Sequence, residues 1–383
     1  MISRNSITGA FPIKRLGEVV EFLDSKRRPV TESVRRAGPF PYYGANGIQG
    51  TIDEFIFDEP LVLLAEDGGH FGEPDRGIAY RISGKTWVNN HAHVLRPSSA
   101  IELAYLCRVL ENYDVIPFVT GTTRGKLTKA GASEIVIPLP PLAVQRRIAE
   151  VLDRAEALRA KRRAALAQLD SLTQSLFLDL FGDPVANRKS FPVSRMGDVC
   201  DVRDGTHDSP KYVSEGGYPL VTSKNLSRGY MDLSDVNLIS EADYVQINKR
   251  SKVDRGDIIM PMIGTIGSPV LVEDEPRFAI KNVALIKFTE ASPSPILVRH
   301  LLSCSYFDHI VGQKNRGGTQ KFVSLGDLRS FPLPLPPIPL QREFARRVTA
   351  VEALKTAQRA SLAELDALFA TLQQRAFRGE LFS

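Results

Sequence analysis

The chain contains two copies of one helical segment, and this duplication constrains its architecture more than any other feature. The first copy begins IPLPPLAVQRRIAEVLD at Ile137 and the second begins LPLPPIPLQREFARRVT at Leu333, so that Gln145 matches Gln341, 196 residues later. In each copy a proline-rich entry, which does not suit a helix interior, precedes about forty residues almost free of Gly and Pro. The sequence therefore predicts two long helices.

Apolar residues recur at heptad spacing along both predicted helices. With Ile148 as position a, the d positions include Leu158 and Leu172 in the first helix and Leu354 and Leu368 in the second. An apolar stripe of this length needs an equally long partner, so we expect the two helices to pair as an antiparallel coiled coil. The alternative is that each helix packs only on its own globular neighbour.

The duplication extends over the rest of the chain. FPIKRLGEVVEFL opens at Phe11 and FPVSRMGDVCDVR at Phe191, 180 residues later. Both halves contain short β-type runs separated by Gly, Asn, Asp and Pro, and each adds one apolar-periodic helix. We predict an α+β (mixed α/β) fold in which two similar globular domains are separated by the two long antiparallel helices, with pseudo-twofold symmetry. The predicted segments are a first domain at 1–139, a central helix at 140–182, a second domain at 183–335 and a C-terminal helix at 336–383.

Charge and cysteine content narrow the class of protein. A net charge of +5 and a pI of about 9.0 permit binding to nucleic acid without requiring it. The three cysteines lie far apart without CxxC spacing, which argues against a disulfide framework or a zinc site. The sequence has no signal peptide and no apolar run of about 18 residues, so we expect a cytoplasmic protein that does not span a membrane.

Motifs for catalysis or metal binding do not occur in the sequence. GKT at Gly84–Thr86 lacks the first glycine of a phosphate-binding loop, because Ala79 stands there. His91 and His93 lie in a predicted strand with no carboxylate nearby in the sequence, so we expect no metal there. We therefore expect no catalytic residue and no cofactor in this chain. The alternatives are a nuclease or methyltransferase of unrecognised fold, and a scaffold without sequence preference.

Several segments resemble one known family. A Gly-Thr segment, a PLPP run, a Gln-Arg pair and a long helix follow one another in each half. VRDGTHDSPKYV, LVTSKNL and MIGTIGSP in the second half are similar to one class of target-recognition domain, and YYGANGIQGTI and WVNNHAHVL in the first half to another. Together with the duplication, which covers essentially all 383 residues, these segments make the chain resemble the specificity subunit of type I restriction-modification systems.

This resemblance implies a function and a set of partners. Each target-recognition domain would read one half of a bipartite, asymmetric site in double-stranded DNA, across a spacer of non-specific sequence. Two methyltransferase subunits would carry S-adenosylmethionine and methylate adenine, and restriction subunits would hydrolyse ATP with magnesium and cleave. The specificity subunit of a related system, whose partner fuses methylation and cleavage, is a further alternative.

Polar side chains in the predicted loops are the candidates for DNA contact, because phosphates attract Lys and Arg and base edges pair with Asn, Gln, Arg and Lys. In the first domain they are Lys26, Arg27, Arg28, Asn46, Gln49, Asn89, Asn90, His91, Arg124 and Lys126. In the second domain they are Thr206, His207, Lys211, Ser223, Lys224, Asn225, Lys281, Asn282, Arg316, Gln320 and Lys321. The predicted contacts to partner subunits, at the starts of the long helices, are Gln145, Arg146, Gln341 and Arg342.

Overall fold

A computed structural model of the chain describes residues 9–73, 76–121, 125–227, 229–262, 268–314 and 323–382. They group into two compact units, the first within Met1–Ala164 and Arg359–Ser383 and the second within Ala165–Gln358. Each unit contains one predicted globular domain and parts of both long helices. In the described part of the chain, no helix is at once long and apolar enough to cross a membrane.

The first unit combines short strands with three small helices and the start of a long one. Its strands are β1 (Ile13–Arg15), β2 (Val20–Phe22), β3 (Phe40–Gly44), β4 (Gly47–Ile52), β5 (Phe57–Asp58), β6 (Leu61–Ala65), β7 (Ala79–Ile82), β8 (Lys85–Val88), β9 (Ala92–Pro97), β10 (Val119–Thr120), β11 (Lys126–Leu127) and β12 (Val136–Pro138). Its helices are α1 (Leu16–Val19), α2 (Leu103–Leu110), α3 (Lys129–Ser133) and α4 (Leu142–Phe181), with 3-10 turns at Asp24–Lys26, Glu32–Val34 and Ile116–Phe118.

The second unit repeats this composition. Its strands are β13 (Val193–Arg195), β14 (Asp201–Asp204), β15 (Tyr212–Val213), β16 (Tyr218–Val221), β17 (Leu226–Ser227), β18 (Tyr230–Met231), β19 (Asn237–Ile239), β20 (Ile258–Pro261), β21 (Val270–Leu271), β22 (Ala279–Ile280), β23 (Val283–Lys287) and β24 (Pro332–Pro334). Its helices are α5 (Met196–Val199), α6 (Glu241–Ser251), α7 (Pro295–Ser303), α8 (Ser305–Lys314), α9 (Leu325–Arg329) and α10 (Ile338–Arg378), with a 3-10 turn at Ser223–Asn225.

Both units build a four-stranded antiparallel sheet from equivalent strands. The order is β2-β9-β6-β7 in the first unit and β14-β23-β20-β21 in the second. A second sheet accompanies each one, and it contains one parallel pair, β3 with β8 or β16 with β22. The strands β6 and β20 read LVLLA and IIMP and are buried throughout, because both of their faces are covered by apolar clusters. The predicted mixture of strands and helices is confirmed.

The two predicted long helices are present as α4 and α10. Each follows its proline-rich entry directly, as expected where proline cannot continue into the helix interior. Each is followed by a glycine in the left-handed region, Gly182 with φ +76° and Gly379 with φ +82°. A residue with a Cβ is disfavoured in this conformation, so glycine is suited to ending a helix at these two points.

The seam of the helices differs from the predicted a/d pattern. The predicted d residues Leu158, Leu172, Leu354 and Leu368 are 51, 41, 53 and 49% exposed, whereas Leu152 at position e is fully buried. The prediction was wrong at these d positions because the long helices also pack on the globular domains. Leu152, for example, belongs to the apolar cluster that forms the core of the first domain. The buried face is therefore rotated towards position e.

Antiparallel pairing of α4 with α10 is visible inside each unit. In the first unit Arg159 donates to Asp366 at 2.6 Å, and in the second Lys355 lies 2.8 Å from Asp170. Both members of the second pair lie 196 residues from their counterparts, Lys355 after Arg159 and Asp170 before Asp366. The duplication therefore preserves an ion pair between the helices, and the predicted pairing is confirmed.

Candidate nucleic-acid interface

One edge of the first domain's main sheet gathers polar segments from three strands. Phe22, at the end of β2, pairs with Leu95, and Ala65, at the end of β6, pairs with Ala92, at the start of β9. The ends of β2 and β6 and the start of β9 therefore meet at one edge. The loops that leave this edge carry most of the first domain's predicted DNA contacts.

Arg27 lies in the middle of a charged cluster at this edge. Its guanidinium lies 2.5 Å from Glu66 and 3.5 Å from Asp24, and donates to the carbonyl oxygen of Ala92 at 2.7 Å. Lys126 lies 3.0 Å from the other oxygen of Glu66. Only 12% of the Arg27 side chain is exposed. Arg27 therefore neutralises buried carboxylates, a role that the sequence did not indicate.

His93 joins this cluster, which corrects the prediction that no carboxylate lies near the histidine pair. Its Nδ1 lies 2.7 Å from Asp24, 69 residues away in sequence, and its Nε2 lies 2.8 Å from the carbonyl oxygen of Leu127. Asp24, Glu66 and His93 offer three ligand atoms within 4.8 Å of one another. In this structure His93 uses both nitrogens in hydrogen bonds, and Arg27 contacts both carboxylates, so these groups serve one another as partners.

The cluster shifts the titration of its carboxyl groups. Burial is the strongest single influence on Asp24 and acts to raise its pKa, but the hydrogen bond and charge of His93, the backbone N–H of Val94 and the charge of Arg27 together outweigh burial. The pKa of Asp24 therefore lies below its ordinary value. Burial likewise acts to raise the pKa of Glu66, and the hydrogen bonds from Arg27 and Lys126 lower it overall. Both carboxylates are therefore charged at neutral pH.

The hairpin of β3 and β4 brings two more candidates to the same edge. Asn46 Nδ2 donates to the carbonyl oxygen of Gly68 at 2.9 Å, and Asn89 Nδ2 donates to Gln49 Oε1 at 3.0 Å. Asn89 Oδ1 accepts from the backbone N–H of His91 at 2.8 Å. Asn89 is buried, whereas Asn46 and Gln49 are exposed. Asn89 therefore positions its neighbours rather than presenting its own amide.

The remaining first-domain candidates are distributed around this edge. Lys26 and Arg28 are exposed in the segment after β2, and His91 Nδ1 lies 2.6 Å from Asp67. Arg124 lies outside the described residues. The edge thus gathers seven predicted contacts, namely Arg27, Asn46, Gln49, Asn89, Asn90, His91 and Lys126.

The second domain places its candidates at the equivalent sheet edge. The segment after β14 contains Thr206 and His207, and the turn before β23 contains Lys281 and Asn282. Thr206 donates through its backbone N–H to the carbonyl oxygen of Ile280 at 3.0 Å and accepts from the backbone N–H of Asn282 at 3.2 Å. These bonds hold the two segments side by side.

His207 is the centre of a polar network at this edge. Its Nε2 lies 2.8 Å from Asp204 Oδ2 and its Nδ1 2.8 Å from Asn282 Oδ1. Asp204 is buried and accepts from Arg250 at 2.6 Å through its other oxygen. The hydrogen bonds with Asn282 and Asp204 raise the pKa of His207 above its ordinary value. Asn282 has a φ of +55°, a left-handed conformation that Asn tolerates better than most residues.

A 3-10 turn after β16 extends this surface. The backbone N–H of Lys281 donates to the carbonyl oxygen of Val221 at 2.9 Å, which places the turn beside the edge. Ser223 and Lys224 lie at its surface, and Lys224 is 3.3 Å from Asp235. The turn therefore adds two accessible polar side chains to the edge.

Asn225 does not fit its predicted role as a base-reading residue. It is buried, and its Nδ2 donates to the carbonyl oxygens of Asp232 and Asp235 at 3.1 Å each. Its amide therefore holds the loop together. Lys211 is exposed. Three other second-domain candidates lie outside the described residues: Arg316, Gln320 and Lys321.

The repeated glutamines at the helix starts are buried, which does not fit their predicted contact with partner subunits. Gln145 Oε1 accepts from the backbone N–H of Glu102, and Gln341 Oε1 from that of Ser294, both at 2.8 Å. Each Nε2 donates to a carbonyl oxygen of the proline-rich entry at 2.8 Å. Each glutamine thus ties a short helix to the start of a long one. The other two predicted partner contacts are exposed: Arg146 and Arg342.

The two edges share a frame but differ in chemistry. Asp24 and Asp204 are 180 residues apart, and so are Arg27 and His207. His91 directly precedes β9, as Asn282 directly precedes β23. Asp24 contacts Arg27 and Asp204 contacts His207, but neither aspartate was among the predicted site residues. Both lie at the same distance in sequence from the start of their domain, which is a signal that the sequence contains.

Comparisons with known proteins agree with this architecture. The family described as "Type I restriction modification DNA specificity domain" matches residues 10–168 and 189–366. A putative type I restriction enzyme specificity subunit of Haemophilus influenzae is 30% identical over 89% of this chain and 87% of its own length. The EcoKI specificity subunit of Escherichia coli is 22% identical over 89% of this chain and 82% of its own.

Solved structures show the same fold. The type I restriction-modification S subunit from M. genitalium covers 96% of both chains with a TM-score of 0.64 at 14% identity. A chain from a structure of a type I restriction-modification system covers 97% of this chain and all of its own, with a TM-score of 0.50 at 19% identity. The duplicated domains, the paired long helices and the two matched segments together show that this chain belongs to the type I restriction-modification DNA specificity family.

Proposed function

We propose that the protein is the DNA-recognition subunit of a type I restriction-modification complex, and that each domain reads one half of a bipartite site. The observation that carries this proposal is the equivalent polar edge of the two main sheets. The same frame holds Arg27 and His91 in one domain and His207 and Asn282 in the other. Different side chains on one frame suit two half-sites of different sequence.

We assign two kinds of DNA contact at these edges, because amides and imidazoles suit base edges and ammonium or guanidinium groups suit phosphates. The proposed base-reading residues are Asn46, Gln49, Asn90, His91, Thr206, His207, Ser223 and Asn282. The proposed phosphate contacts are Lys26, Arg28, Lys126, Lys211, Lys224 and Lys281. Arg124, Arg316, Gln320 and Lys321 stay predictions from the sequence.

The long helices are proposed to bind two methyltransferase subunits. Leu158 and Leu354 lie at equivalent positions of the duplication, and both are about half exposed. Because equivalent positions in the two halves both carry an exposed leucine, the two helices present similar apolar surfaces. Similar surfaces suit two copies of one partner better than two different partners. Arg146 and Arg342, equivalent and exposed, form part of the same proposed surfaces.

In this proposal the chain has no catalytic activity of its own. S-adenosylmethionine would bind to the methyltransferase subunits, and ATP and magnesium to restriction subunits, in the cytoplasm. A partner that fuses methylation and cleavage is the second candidate. Purified chain should neither methylate nor cleave DNA, and methylation should require added methyltransferase subunits; turnover by the chain alone would contradict the proposal.

The half-site assignment has its own test. Asn282→Ala should alter discrimination at one half-site only, by about 0.5 to 1.5 kcal/mol, because the amide group that does not face His207 makes one hydrogen bond to a base. Lys224→Ala is the matched control, because loss of a phosphate contact should weaken binding to all sequences and flatten the salt dependence by about one unit. Relaxed preference at both half-sites from Asn282→Ala would contradict two independent domains.

A further inference from the structure

Both ring nitrogens of His207 lie at hydrogen-bond distance from oxygen atoms in this structure. Both of its nitrogens face acceptors, Asn282 Oδ1 at 2.8 Å and the carboxylate of Asp204 at 2.8 Å. An imidazole ring donates from both nitrogens only as the doubly protonated cation. The arrangement, with the amide oxygen of Asn282 turned towards the ring, suits the imidazolium form.

The surroundings of His207 allow this proton to be exchanged. The side chain is 62% exposed, so solvent reaches it. The charged groups at this edge are Asp204 and Arg250, which contact each other, Asp208, which accepts from Thr206, and Lys281, which donates to Ser209. Asp204 keeps one oxygen on the Nε2 side of the ring in either protonation state. Loss of a proton therefore falls on Nδ1, the nitrogen that faces Asn282.

We propose that the protonation state of His207 decides which hydrogen-bonding group Asn282 presents to DNA, so that the base preference of the second half-site changes with pH. In the cationic state the amide oxygen of Asn282 accepts from Nδ1–H, and its NH2 group faces outward as a donor. That donor suits an acceptor on a base edge, such as N7 or O6 of guanine or O4 of thymine.

Deprotonation reverses this arrangement. One proton leaves Nδ1 for solvent, Nε2–H stays on Asp204, and Nδ1 becomes an acceptor. The Asn282 amide turns over, so that its NH2 donates to Nδ1 and its oxygen faces outward. The outward oxygen then accepts from N6 of adenine or N4 of cytosine. The backbone of Asn282 stays in place, because its N–H is held by Thr206.

The equivalent described positions of the first domain carry different side chains from His207 and Asn282. Arg27 stands at the position of His207 in the first domain, and its guanidinium is paired with the carboxylate of Glu66. His91 stands at the position of Asn282 and carries no amide to turn over. The inference rests on the proposed function, since it concerns how an assigned residue reads its half-site.

The test uses the complex of this chain with its methyltransferase subunits. Duplexes that differ at single positions of the second half-site compete for binding at about pH 6 and about pH 9, on either side of the histidine transition. The preference between donor-bearing and acceptor-bearing bases should change by about tenfold at one position. His207→Lys, a permanent cation, should keep the acidic preference at both pH values, and His309→Gln, on α8, should keep the wild-type change.

Two results would overturn the inference. One is a wild-type preference that is the same at both pH values, and the other is a His207→Lys variant that still changes with pH. The variant Asn282→Ala distinguishes a failure of the pH-dependent switch from a failure of the proposed function. If it relaxes the second half-site while pH has no effect, the recognition assignment stands and the switch is wrong; if the complex shows no sequence preference at all, the proposed function itself fails.

Discussion

Arg27 is the residue on which the polar edge of the first domain depends, since it neutralises Asp24 and Glu66 together. Arg27→Met should lower the free energy of unfolding of that domain by about 3 to 5 kcal/mol at neutral pH, because it removes the nearest cation from the buried Glu66 and a second cation from Asp24. Chemical denaturation measures this loss. Arg28→Met is the matched control and should change stability by less than about 0.5 kcal/mol; equal losses in the two variants would contradict the assignment.

The same substitution has a defined pH dependence. The pKa values of Asp24 and Glu66 are lowered in the folded chain, so their stabilising contribution is present above their ordinary values near 3.8 and 4.5 and is lost as pH falls through the lowered values. The deficit of Arg27→Met should therefore shrink in acid. A deficit that stays constant down to about pH 3 would show that Arg27 acts through packing alone.

Thr173 marks a place where the two halves of the chain differ in packing. A cavity of about 250 Å³ in the second unit is partly open to solvent and is lined mainly by polar groups, among them Thr173, His300, Glu352 and Lys355. Within the described residues, neither Thr173 Oγ1 nor His300 Nε2 has a hydrogen-bond partner. The equivalent of Thr173, 196 residues later, is Phe369, which is buried. The sequence alone did not reveal this cavity, because both residues fit a helix.

Filling that cavity should stabilise the second unit. Thr173→Phe removes an unpaired buried hydroxyl and adds apolar contact, so we expect a gain of about 1 to 2 kcal/mol and a higher Tm. Thr173→Val, which removes the hydroxyl without filling the space, should give the smaller part of the gain. Thermal unfolding compares the three proteins, and a lower Tm for Thr173→Phe would mean that the space does not accept the ring.

At the scale of elements, the sequence predicted the long helices and their pairing but not the face that they bury. Heptad counting assumes that the other helix is the sole partner, whereas Leu152 also packs into the domain core. The polar clusters were not predicted because their members are far apart in the sequence. Asp24 meets His93 across 69 residues, and Arg27 meets Glu66 across 39, so no local motif contains them.

The exposed leucines of the helices yield a prediction about assembly. The double variant Leu158→Glu and Leu354→Glu should change stability by no more than about 1 kcal/mol, about 0.5 kcal/mol for each substitution, since both side chains are half exposed. It should nevertheless fail to assemble with methyltransferase subunits, because it places charges on the proposed apolar contact. Size-exclusion chromatography of the mixture measures assembly.

Leu152→Ala is the matched control for this variant. It should lower stability by about 2 to 5 kcal/mol, because Leu152 is fully buried, and the folded fraction should still assemble. Normal assembly of the double glutamate variant would remove these leucines from the partner surface.

At the scale of the whole molecule, the duplication was the feature that the sequence displayed most clearly, because offsets of 180 and 196 residues are kept although the loops differ between the two halves.

The duplication leads to a prediction about spacing, namely that the length of the paired helices should set the distance between the two half-sites. Four residues inserted after Leu166 lengthen a helix by about 6 Å, close to two base pairs. A compensating insertion after Leu362 should keep the apolar faces in register. The doubly inserted protein should methylate the same half-sites across a longer spacer, and an unchanged spacer would mean that the helices only hold the domains.

Mapping of methylated adenines tests the central claim, that one chain carries two independent readers, most directly. The chain is assembled with its methyltransferase subunits, and methylated positions are compared between the wild type and Asn282→Ala on the same genomic DNA. We predict a bipartite motif for the wild type, and for the variant a motif that is relaxed in one half and unchanged in the other. A continuous motif, or relaxation of both halves together, would contradict the account.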